Sequence, residues 1–440
     1  GLGAAAGCGG GERTPGRADT TAPDSGAPRA AAGPAVTLPD GFRATVFAKD
    51  IGYTRHAAPG PNGVLYVNTW QSPYDSSRKA PAGGYVVALR DTNGDGTADV
   101  IRRFGTTSES GSHGGTGIAV WRGAVYVEAD STILRYRLAG DEIAPAGAPD
   151  TIVLGLPASG GHAMHPIAID SAGNLYVNLG SETNACQEKD RQPESRGQQP
   201  CRELARRAGI WRFSAERTGQ RYSTSARYAT GIRNAVGLAV DAGGQLYSTQ
   251  HGRDQLAENW PKKFDWKQSA ELPAEELLRI ERGADFGWPY CYYDPAQQKL
   301  VLAPEYGGDG KEVGQCGTKR GPVAAFPAHW APNALAFYTG TSFPERYRGG
   351  AFIAFHGSWN RAPEPQQGYN VVFQPLRDGK PSGAFEVFAD GFAGARKEPG
   401  LAAHRPAGLA VGSDGALFIT DDQAGTVWRV VYGGQEAAEK

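Results

Sequence analysis

A short pattern of apolar and polar positions recurs six times along the chain. Each copy has an apolar strand, a tight turn rich in Gly, Asn and Asp, and a second alternating strand that ends in a polar loop. The copies are PNGVLYVNTW at 61–70, WRGAVYVEAD at 121–130, SAGNLYVNLG at 171–180, AGGQLYSTQH at 242–251, GGAFIAFHGS at 349–358 and SDGALFITDD at 413–422. About 400 residues over six copies leave roughly 67 for each, enough for four strands. The pattern predicts an all-β fold, a six-bladed β-propeller of four-stranded antiparallel blades.

A closed ring needs a closing strand, and the chain has a candidate ahead of the first copy. The segment 42–47 (FRATVF) is predicted to complete the last blade, so the propeller domain is expected to span residues 37–434. Residues 435–440 are expected to be a tail. Residues 1–36 are rich in Ala, Pro and Gly and are expected to be a flexible leader.

The leader and the cysteines bear on cellular location. Ala5-Ala6-Gly7-Cys8 looks like the end of a bacterial lipoprotein signal with a lipidated Cys8, and a plain unpaired cysteine is the alternative. Cys186 with Cys201 and Cys291 with Cys316 are predicted to form local disulfides; metal binding is the alternative, although zinc-type Cys-x-x-Cys spacing is absent. No run of roughly 18 apolar residues predicts a spanning helix. We therefore expect an extracytoplasmic protein, periplasmic or at the cell surface.

Composition and net charge limit the classes of partner that the protein is expected to bind. The 62 Gly, 30 Pro and single Met favour many short strands joined by turns. The 45 Lys and Arg residues balance 46 Asp and Glu residues, which gives a net charge of -1. This balance provides no basic surface for nucleic acid or an anionic membrane, and a small-molecule partner fits better.

Propeller topology places the polar loop residues on one face. Residues just before the first strand and just after the second strand of each blade must lie on the same end of the ring. The polar residues that fall there are Arg55, His56, Trp70, His113, His162, Ser181, Glu182, Asn184, Arg233, Asn234, His251, Gly252, Arg253, Asp254, His329, His356, Asn360, Arg361, His404, Arg405, Asp421 and Asp422. Their convergence over a central channel predicts a polar small-molecule site.

The residue types on this face suit particular chemistry. Several arginines with Asn and His fit an oligocarboxylate or a phosphorylated ligand, because a guanidinium group pairs bidentately with a carboxylate. A histidine there could act as general base toward an alcohol. No Ser nucleophile elbow, Gly-rich dinucleotide loop or haem-attachment motif occurs in the sequence.

Several motifs together resemble those of a known family. They are GIRNAVGLA at 231–239, HGRD at 251–254, FGWP at 286–289, HGSWNR at 356–361 and RPAG at 405–408. In this order and spacing the chain is similar to the soluble quinoprotein sugar dehydrogenases, particularly the sorbosone and aldose dehydrogenase branch, which use pyrroloquinoline quinone (PQQ).

The resemblance implies specific roles. The cofactor would be the planar tricarboxylate quinone PQQ, with Ca²⁺ as a Lewis acid, and the reaction would be oxidation of a sugar or related polyol or aldehyde. The implied assignments are Arg233, Arg361 and Arg405 to the quinone carboxylates, Asn234 and Asn360 as hydrogen-bond partners, Arg55 and His356 as pocket lining, the carbonyls of Gly252 and Arg253 as calcium ligands, and His162 as general base. Since the chain has no haem motif, a separate electron acceptor is expected.

The sequence departs from the family at several points. Members often have His-x-x-Arg where this chain has His162-Ala163-Met164-His165, and close glucose-oxidising relatives have Asp at the position of Ser181. The segment Asp91 to Asp99 resembles half of an EF-hand loop, but an ordinary polar turn is an equal alternative to a second calcium site. Two other functions stay open: a non-enzymatic binding propeller, and a calcium-dependent lactonase.

Overall fold

A ring of antiparallel sheets makes up the part of the chain that the computed structural model describes, residues 36–70, 82–105 and 114–433. The strands, from the channel outward, are Thr54–Pro59, Leu65–Thr69, Val86–Arg90 and Val100–Phe104 in blade 1; Ile118–Trp121, Ala124–Ala129, Thr132–Arg137 and Asp150–Leu154 in blade 2; Ile167–Ile169, Asn174–Leu179, Gly209–Ser214 and Arg227–Thr230 in blade 3; Leu238–Val240, Leu246–Gln250, Glu275–Ile280 and Ala324–Phe326 in blade 4; Pro332–Phe337, Ala351–Phe355, Asn370–Gln374 and Glu386–Ala389 in blade 5; and Pro406–Val411, Leu417–Asp421, Thr426–Tyr432 and Phe42–Ala48 in blade 6. The predicted six-bladed β-propeller is confirmed.

Several short elements lie outside the four-stranded blades. Gln220–Arg221 adds a short parallel strand to the edge of blade 2, and two hairpins pair Cys291–Asp294 with Lys299–Leu302 and Leu376–Arg377 with Lys380–Pro381. The helices are α1 (Leu256–Asn259) and α2 (Trp266–Glu271), and the 3-10 turns are Pro61–Gly63, Arg202–Ala205, Thr224–Ala226, Pro304–Tyr306, Gly314–Thr318 and Glu345–Tyr347. Among the described residues, no helix has the length and apolar character needed to cross a membrane.

The apolar core lies between neighbouring blades. The second strands of blades 1, 2, 4, 5 and 6 are buried along their whole length, because each has a blade packed against both faces. The outermost strand Val100–Phe104 is half-exposed by contrast. This difference explains why the second strands produce the clearest repeat in the sequence.

One position in the repeat joins each blade to the next. Asn68, Glu128, Asn178, Thr249 and Thr420 are its occupants in blades 1, 2, 3, 4 and 6. Their hydrogen bonds reach the entry to the next inner strand: Asn68 Nδ2 donates to the Gly117 carbonyl at 2.8 Å, and Thr420 Oγ1 donates to the Arg55 carbonyl at 2.6 Å. Blade 5 has Ala354 at this position and lacks the polar link.

A close backbone approach accompanies these links. Gly408 lies at the start of the inner strand of blade 6, where a Cβ atom would lie 2.4 Å from the carbonyl oxygen of Arg55 in blade 1. Only glycine fits such a contact without displacing the backbone. The inner strands therefore pack tightly around the axis, and the polar loops are left for the ends of the ring.

Candidate active site

The upper face, defined as the end of the ring at which the second strands finish, carries two polar networks. The first is centred on Arg233, of which 3% is exposed. Its Nη2 donates to Asp254 Oδ2 at 2.9 Å and to Asn184 Oδ1 at 3.0 Å, and its Nη1 donates to the Gly252 carbonyl at 2.9 Å. Asn360 Nδ2 donates to the other carboxylate oxygen of Asp254 at 3.0 Å. Loops of blades 3, 4 and 5 meet here.

Asp254 stays ionised at the centre of this network. Burial alone would raise its pKa, but Arg233, His329 and Arg191 outweigh that effect and hold the pKa well below its usual range. Arg191 Nη2 donates to Asp254 Oδ2 at 3.1 Å. The buried carboxylate therefore balances the buried guanidinium group of Arg233.

Asn184 organises the same network, although the sequence placed it on this face without a role. Its Nδ2 donates to the Asp254 carbonyl at 3.0 Å, and its Oδ1 accepts from the Asp254 amide at 2.9 Å. Its carbonyl accepts from Trp288 Nε1 at 3.1 Å and from Arg233 Nε at 3.1 Å. Asn184 lies in an irregular loop that carries no motif. Only its position after the second strand of blade 3 indicated, from the sequence, that it lies on the upper face.

The second network joins blades 1, 5 and 6. Arg55 Nη1 pairs with Asp422 Oδ2 at 2.6 Å, and His356 Nε2 lies 2.8 Å from Asp422 Oδ1. Arg405 donates from Nε to the His356 carbonyl at 3.1 Å and from Nη2 to the Gly357 carbonyl at 2.5 Å. Burial, assisted by the charge of Arg405, lowers the pKa of His356 to about 4 despite Asp422.

His162 faces the mouth from blade 3. Its Nδ1 lies 2.8 Å from the Ser181 carbonyl and 3.0 Å from Ser181 Oγ, which itself donates to the Thr183 carbonyl at 2.7 Å. A carbonyl can only accept, so Nδ1 carries the proton and Nε2 presents a lone pair. Burial, together with Arg233, lowers the pKa of His162 well below its usual value. The imidazole is neutral at pH 7 and has the tautomer of a general base.

The remaining histidines differ in environment. Burial lowers the pKa of His56 to about 4 and that of His251 to about 3, and both rings are near backbone carbonyls of blade 5. His165 lies fully buried in the channel wall, with Nδ1 3.1 Å from the Asn178 carbonyl. His404 Nδ1 pairs with Asp421 Oδ2 at 2.9 Å. His113 lies outside the described residues.

Two of the candidate arginines are occupied by protein acceptors. Arg253 Nη1 contacts both carboxylate oxygens of Glu305 at 2.5 and 2.6 Å, in the segment after the 291–302 hairpin. Arg361 donates to Glu271 Oε1 at 2.6 Å and to the Ala270 carbonyl at 2.7 Å, both in or beside α2. These side chains anchor the loops that carry the calcium-loop carbonyls and Asn360.

The donor set fits a polycarboxylate quinone. Arg405 Nη1, Asn234 Nδ2 and His162 Nε2 are on the upper face and bond to no described residue, and the cationic Arg233 lies beside them. The free donors of Arg405 and Asn234 suit the carboxylates of a planar tricarboxylate, and the lone pair of His162 Nε2 is left to accept a substrate proton. Arg233 and Arg55 are paired with Asp254 and Asp422, so Arg405, which has no ion pair among the described residues, provides the uncompensated positive charge.

The calcium ligands implied by the resemblance are carbonyl oxygens, the hard donors that Ca²⁺ prefers. The Gly252 carbonyl accepts one hydrogen bond, from Arg233, and retains a lone pair, while the Arg253 carbonyl accepts none from the described residues. No cluster of three His, Cys, Asp or Glu side chains suited to a metal occurs in the described ranges. A calcium ion here would therefore depend on backbone oxygens and on its bound ligand.

The 91–99 segment forms hydrogen bonds between its own residues. Asp91 accepts hydrogen bonds from the Gly94 and Gly96 amides at 2.7 and 2.8 Å, and Asp99 accepts one from the Thr92 amide at 2.7 Å. These are the contacts of a polar turn. They give the segment no link to the upper-face networks.

Comparisons with known proteins agree with this fold. A family model described as TrAA12-like matches residues 37–433. An uncharacterized protein of Borreliella burgdorferi is 32% identical over 199 residues, 43% of this chain, and the match spans 44% of that curated relative.

Solved structures extend the comparison. The holo form of the pyranose dehydrogenase PQQ domain from Coprinopsis cinerea has a TM-score of 0.72 at 18% identity, covering 90% of this chain and 97% of that one. A calcium structure of a Trichoderma reesei family AA12 carbohydrate-active enzyme scores 0.69 at 18% identity, covering 91% and 98%. The PQQ-bound aldose sugar dehydrogenase of Streptomyces coelicolor scores 0.55 at 20% identity, covering 90% and 99%. These likenesses show the fold, and they include proteins of the kind that the sequence motifs resembled.

Proposed function

The chain belongs to the TrAA12-like family, and from that premise we propose that it is a quinoprotein dehydrogenase that oxidises a sugar or related polyol or aldehyde with PQQ and Ca²⁺. The main support is the meeting of Arg233, Arg405 and a neutral His162 at one end of the ring. Neighbours of this fold include the holo form of a PQQ domain, a PQQ-bound form and a calcium structure.

The proposed division of labour follows the hydrogen bonds. Arg233, Arg405 and Asn234 bind the quinone carboxylates and carbonyls, and Asn360 acts with them while it holds Asp254. Arg55 and His356 line the pocket through their shared partner Asp422. Arg361 completes the set by anchoring the loop of Asn360. The carbonyls of Gly252 and Arg253 bind calcium.

His162 supplies the acid-base step. When bound, the quinone provides a two-electron acceptor, and calcium provides a Lewis acid that increases its electrophilicity. The lone pair on His162 Nε2 accepts the hydroxyl proton of the substrate as hydride leaves its carbon. Ser181 fixes the tautomer through its carbonyl, and low solvent exposure keeps the ring neutral before reaction.

Location and partners follow from the chemistry. The two predicted disulfides are present, Cys186 with Cys201 and Cys291 with Cys316. Disulfides persist in oxidising compartments, which supports an extracytoplasmic location. A separate electron carrier reoxidises the quinone. Cys8 lies outside the described residues, so its lipidation stays a prediction.

The test is reconstitution of the metal-stripped chain with PQQ and Ca²⁺, followed by dye reduction with aldoses, sorbosone and polyols. Quinone-dependent and calcium-dependent turnover of at least one substrate is expected. Quinone binding without turnover of any substrate would contradict the dehydrogenase activity and favour a non-enzymatic binding propeller. The absence of both quinone binding and turnover would contradict the whole proposal.

A further inference from the structure

A second polar cleft lies on the upper face, outward from His162. It has a volume of about 530 Å³ and is lined by Pro157, Ser159, Glu182, Thr183, Gln198, Arg202, Glu203, Arg206 and Arg207. Its size is within the usual range for small-molecule sites. None of its lining residues is assigned to the quinone or to calcium in the proposed site.

The inner wall of the cleft is a buried cation. Arg207 is 4% exposed, and its hydrogen bonds go only to neutral carbonyls: Nε to Gly180 at 2.8 Å and Nη2 to His162 at 3.1 Å. It forms no ion pair with a described carboxylate, and its Nη1 has no partner among the described residues. The Glu182 and Glu203 carboxylates act on Arg207 only through space, so a buried guanidinium group bonded solely to neutral oxygens favours a further anionic partner.

Two more arginines extend the positive wall. Arg202 and Arg206 are exposed and lie four residues apart around the 202–205 turn, so both can face the cleft. The Arg202 side chain has no hydrogen bond or ion pair to the described residues, and Arg206 interacts with the Tyr222 hydroxyl but forms no ion pair there. Three guanidinium groups therefore line one cavity, against two lining carboxylates, Glu182 and Glu203.

The lining carboxylates offset this charge only in part. Glu203 accepts hydrogen bonds from the Glu182 amide at 2.6 Å, the Thr183 amide at 3.3 Å and the Thr183 hydroxyl. Its oxygens are therefore directed at the loop backbone. Glu182 is exposed, and three arginines against two glutamates leave one net positive charge, which matches a monoanion.

The cleft and the proposed catalytic base share their supporting loops. Arg207 binds the His162 carbonyl at 3.1 Å, and the Gly161 amide donates to the Glu182 carbonyl at 2.8 Å. A saccharide that presents one ring to His162 can therefore extend an adjacent ring outward into the cleft. Ser159 and Gln198 add neutral hydrogen-bonding groups for its hydroxyls.

We infer that this cleft is a subsite for a carboxylate-bearing saccharide, so that the substrate is an acidic oligosaccharide containing a uronic acid. The inference rests on the proposed function and deepens it by naming the substrate class. Arg207 provides the fixed contact to the carboxylate, while Arg202 and Arg206 close around it.

The test is calorimetric binding to the chain without quinone or calcium, with digalacturonate, its dimethyl ester and glucose 6-phosphate as probes. Digalacturonate is expected to bind about tenfold more tightly than the ester, because charge-assisted hydrogen bonds are lost on esterification. The preference should weaken as salt is added, since Arg202 and Arg206 are exposed. A stronger response to glucose 6-phosphate than to digalacturonate would overturn the carboxylate assignment.

Matched double variants locate the effect. R202Q/R206Q removes two positive charges from the cleft and should abolish most of the tenfold preference. R282Q/R377Q removes the same charge from exposed positions at the opposite end of the ring and should preserve it. Arg207→Lys tests the contribution of the buried guanidinium group, and a thermal melt shows whether this variant folds. If it does not fold, the R202Q/R206Q variant alone decides whether the cleft binds the carboxylate.

The outcomes separate the two proposals. Equal affinities for acid and ester, or an equal loss in both double variants, overturn the subsite and leave the dehydrogenase proposal standing. Preference for the acid in a chain that binds no quinone would overturn the dehydrogenase proposal alone. In the reconstituted enzyme, R202Q/R206Q should raise KM for the acid far more than it lowers kcat.

Discussion

At the scale of single residues, the upper face is a set of buried charges that are paired and buried imidazoles that are neutral. Arg233 with Asp254, and Arg55 with Asp422, are ion pairs with side-chain exposures of 14% or less. Burial and the charge of Arg233 keep the His162 imidazole uncharged. The site can therefore present to a ligand the positive charge of Arg405, which has no ion pair among the described residues, and to a substrate proton the lone pair of His162.

His162→Ala tests the proposed base. Turnover is expected to fall about 10²- to 10⁴-fold, the usual contribution of general-base catalysis, while the affinity for PQQ stays within a few-fold. Dye reduction gives the first quantity, and a quinone titration gives the second. Normal turnover in this variant would show that another group removes the proton.

The pH profile tests the same residue without a substitution. A base works only when deprotonated, and burial with Arg233 places the pKa of His162 well below 6.5. The rate should therefore be independent of His162 ionisation at and above pH 6.5, and fall only as pH drops through the lowered pKa. An acid limb centred above pH 6.5 and absent from His162→Ala would contradict the lowered pKa of His162, and an acid limb that persists unchanged in His162→Ala would belong to another group.

Glu276 gives a prediction about stability. Burial raises its pKa to about 8, against a hydrogen bond from Gln250 that lowers it, and its Oε2 has no partner in the described structure. Between the unfolded pKa of about 4.3 and the folded value, the unfolded chain has lost a proton that the folded chain keeps. The free energy of unfolding should fall by up to roughly 1.4 kcal/mol per pH unit in that window for this group.

Glu276→Gln removes that titration. Denaturant unfolding at pH 5 and pH 8 should show a smaller pH-dependent loss in the variant than in the parent chain. Glu142→Gln, at an exposed carboxylate that forms no ion pair with a described residue, is the comparison substitution. An identical pH dependence in parent and Glu276→Gln would mean that Glu276 is ionised in the folded state.

At the scale of elements, irregular loops complete the site that the regular blades support. The 180–208 loop carries Asn184, and the 251–274 loop carries Asp254 with the calcium-loop carbonyls. Buried pairs such as Arg253 with Glu305 fasten the hairpin segment over these loops. The repeat placed the blade-derived residues on one face, but Glu305 and Glu271 lie in segments without periodicity, so the partners of Arg253 and Arg361 could not be predicted.

The two disulfides allow a matched comparison of these loops. Cys186 is two residues from Asn184, and its bond to Cys201 closes the loop that holds Arg233. Cys186→Ser with Cys201→Ser should weaken PQQ binding about tenfold, since loop ordering is then an added cost of binding. Cys291→Ser with Cys316→Ser should affect it less. Equal effects on quinone affinity would show that the first disulfide has no special link to the site.

At the scale of the whole molecule, the closed ring of six blades fixes the positions of the two upper-face polar networks. The repeat was sufficient to predict six blades, because the buried second strands are regular. It also predicted the closing strand, which pairs with Thr426–Tyr432 from Phe42 to Ala48. The repeat could not predict which way a side chain points. Arg405 and Arg361 both follow from upper-face motifs in the sequence, and only the structure shows that they hydrogen-bond to different acceptors.

Phe42→Ala tests the closure. The ring of Phe42 packs against Phe343, Tyr432 and Phe388 with centroids 4.8, 4.9 and 5.0 Å away. Its removal should lower the free energy of unfolding by about 3 kcal/mol, measured by denaturant unfolding. Val46→Ala, on the same strand at a position 44% exposed, should cost much less. Equal effects would mean that the aromatic cluster does not secure the closing strand.

The most direct test of the account is equilibrium binding of PQQ to the metal-stripped chain, with added Ca²⁺ and with chelator. We predict saturable binding with one quinone per chain, weakened by chelator and by Arg405→Gln, and retained in R282Q/R377Q. Binding that is absent, or that Arg405→Gln and R282Q/R377Q change equally, would contradict a quinone site at the upper mouth of the ring.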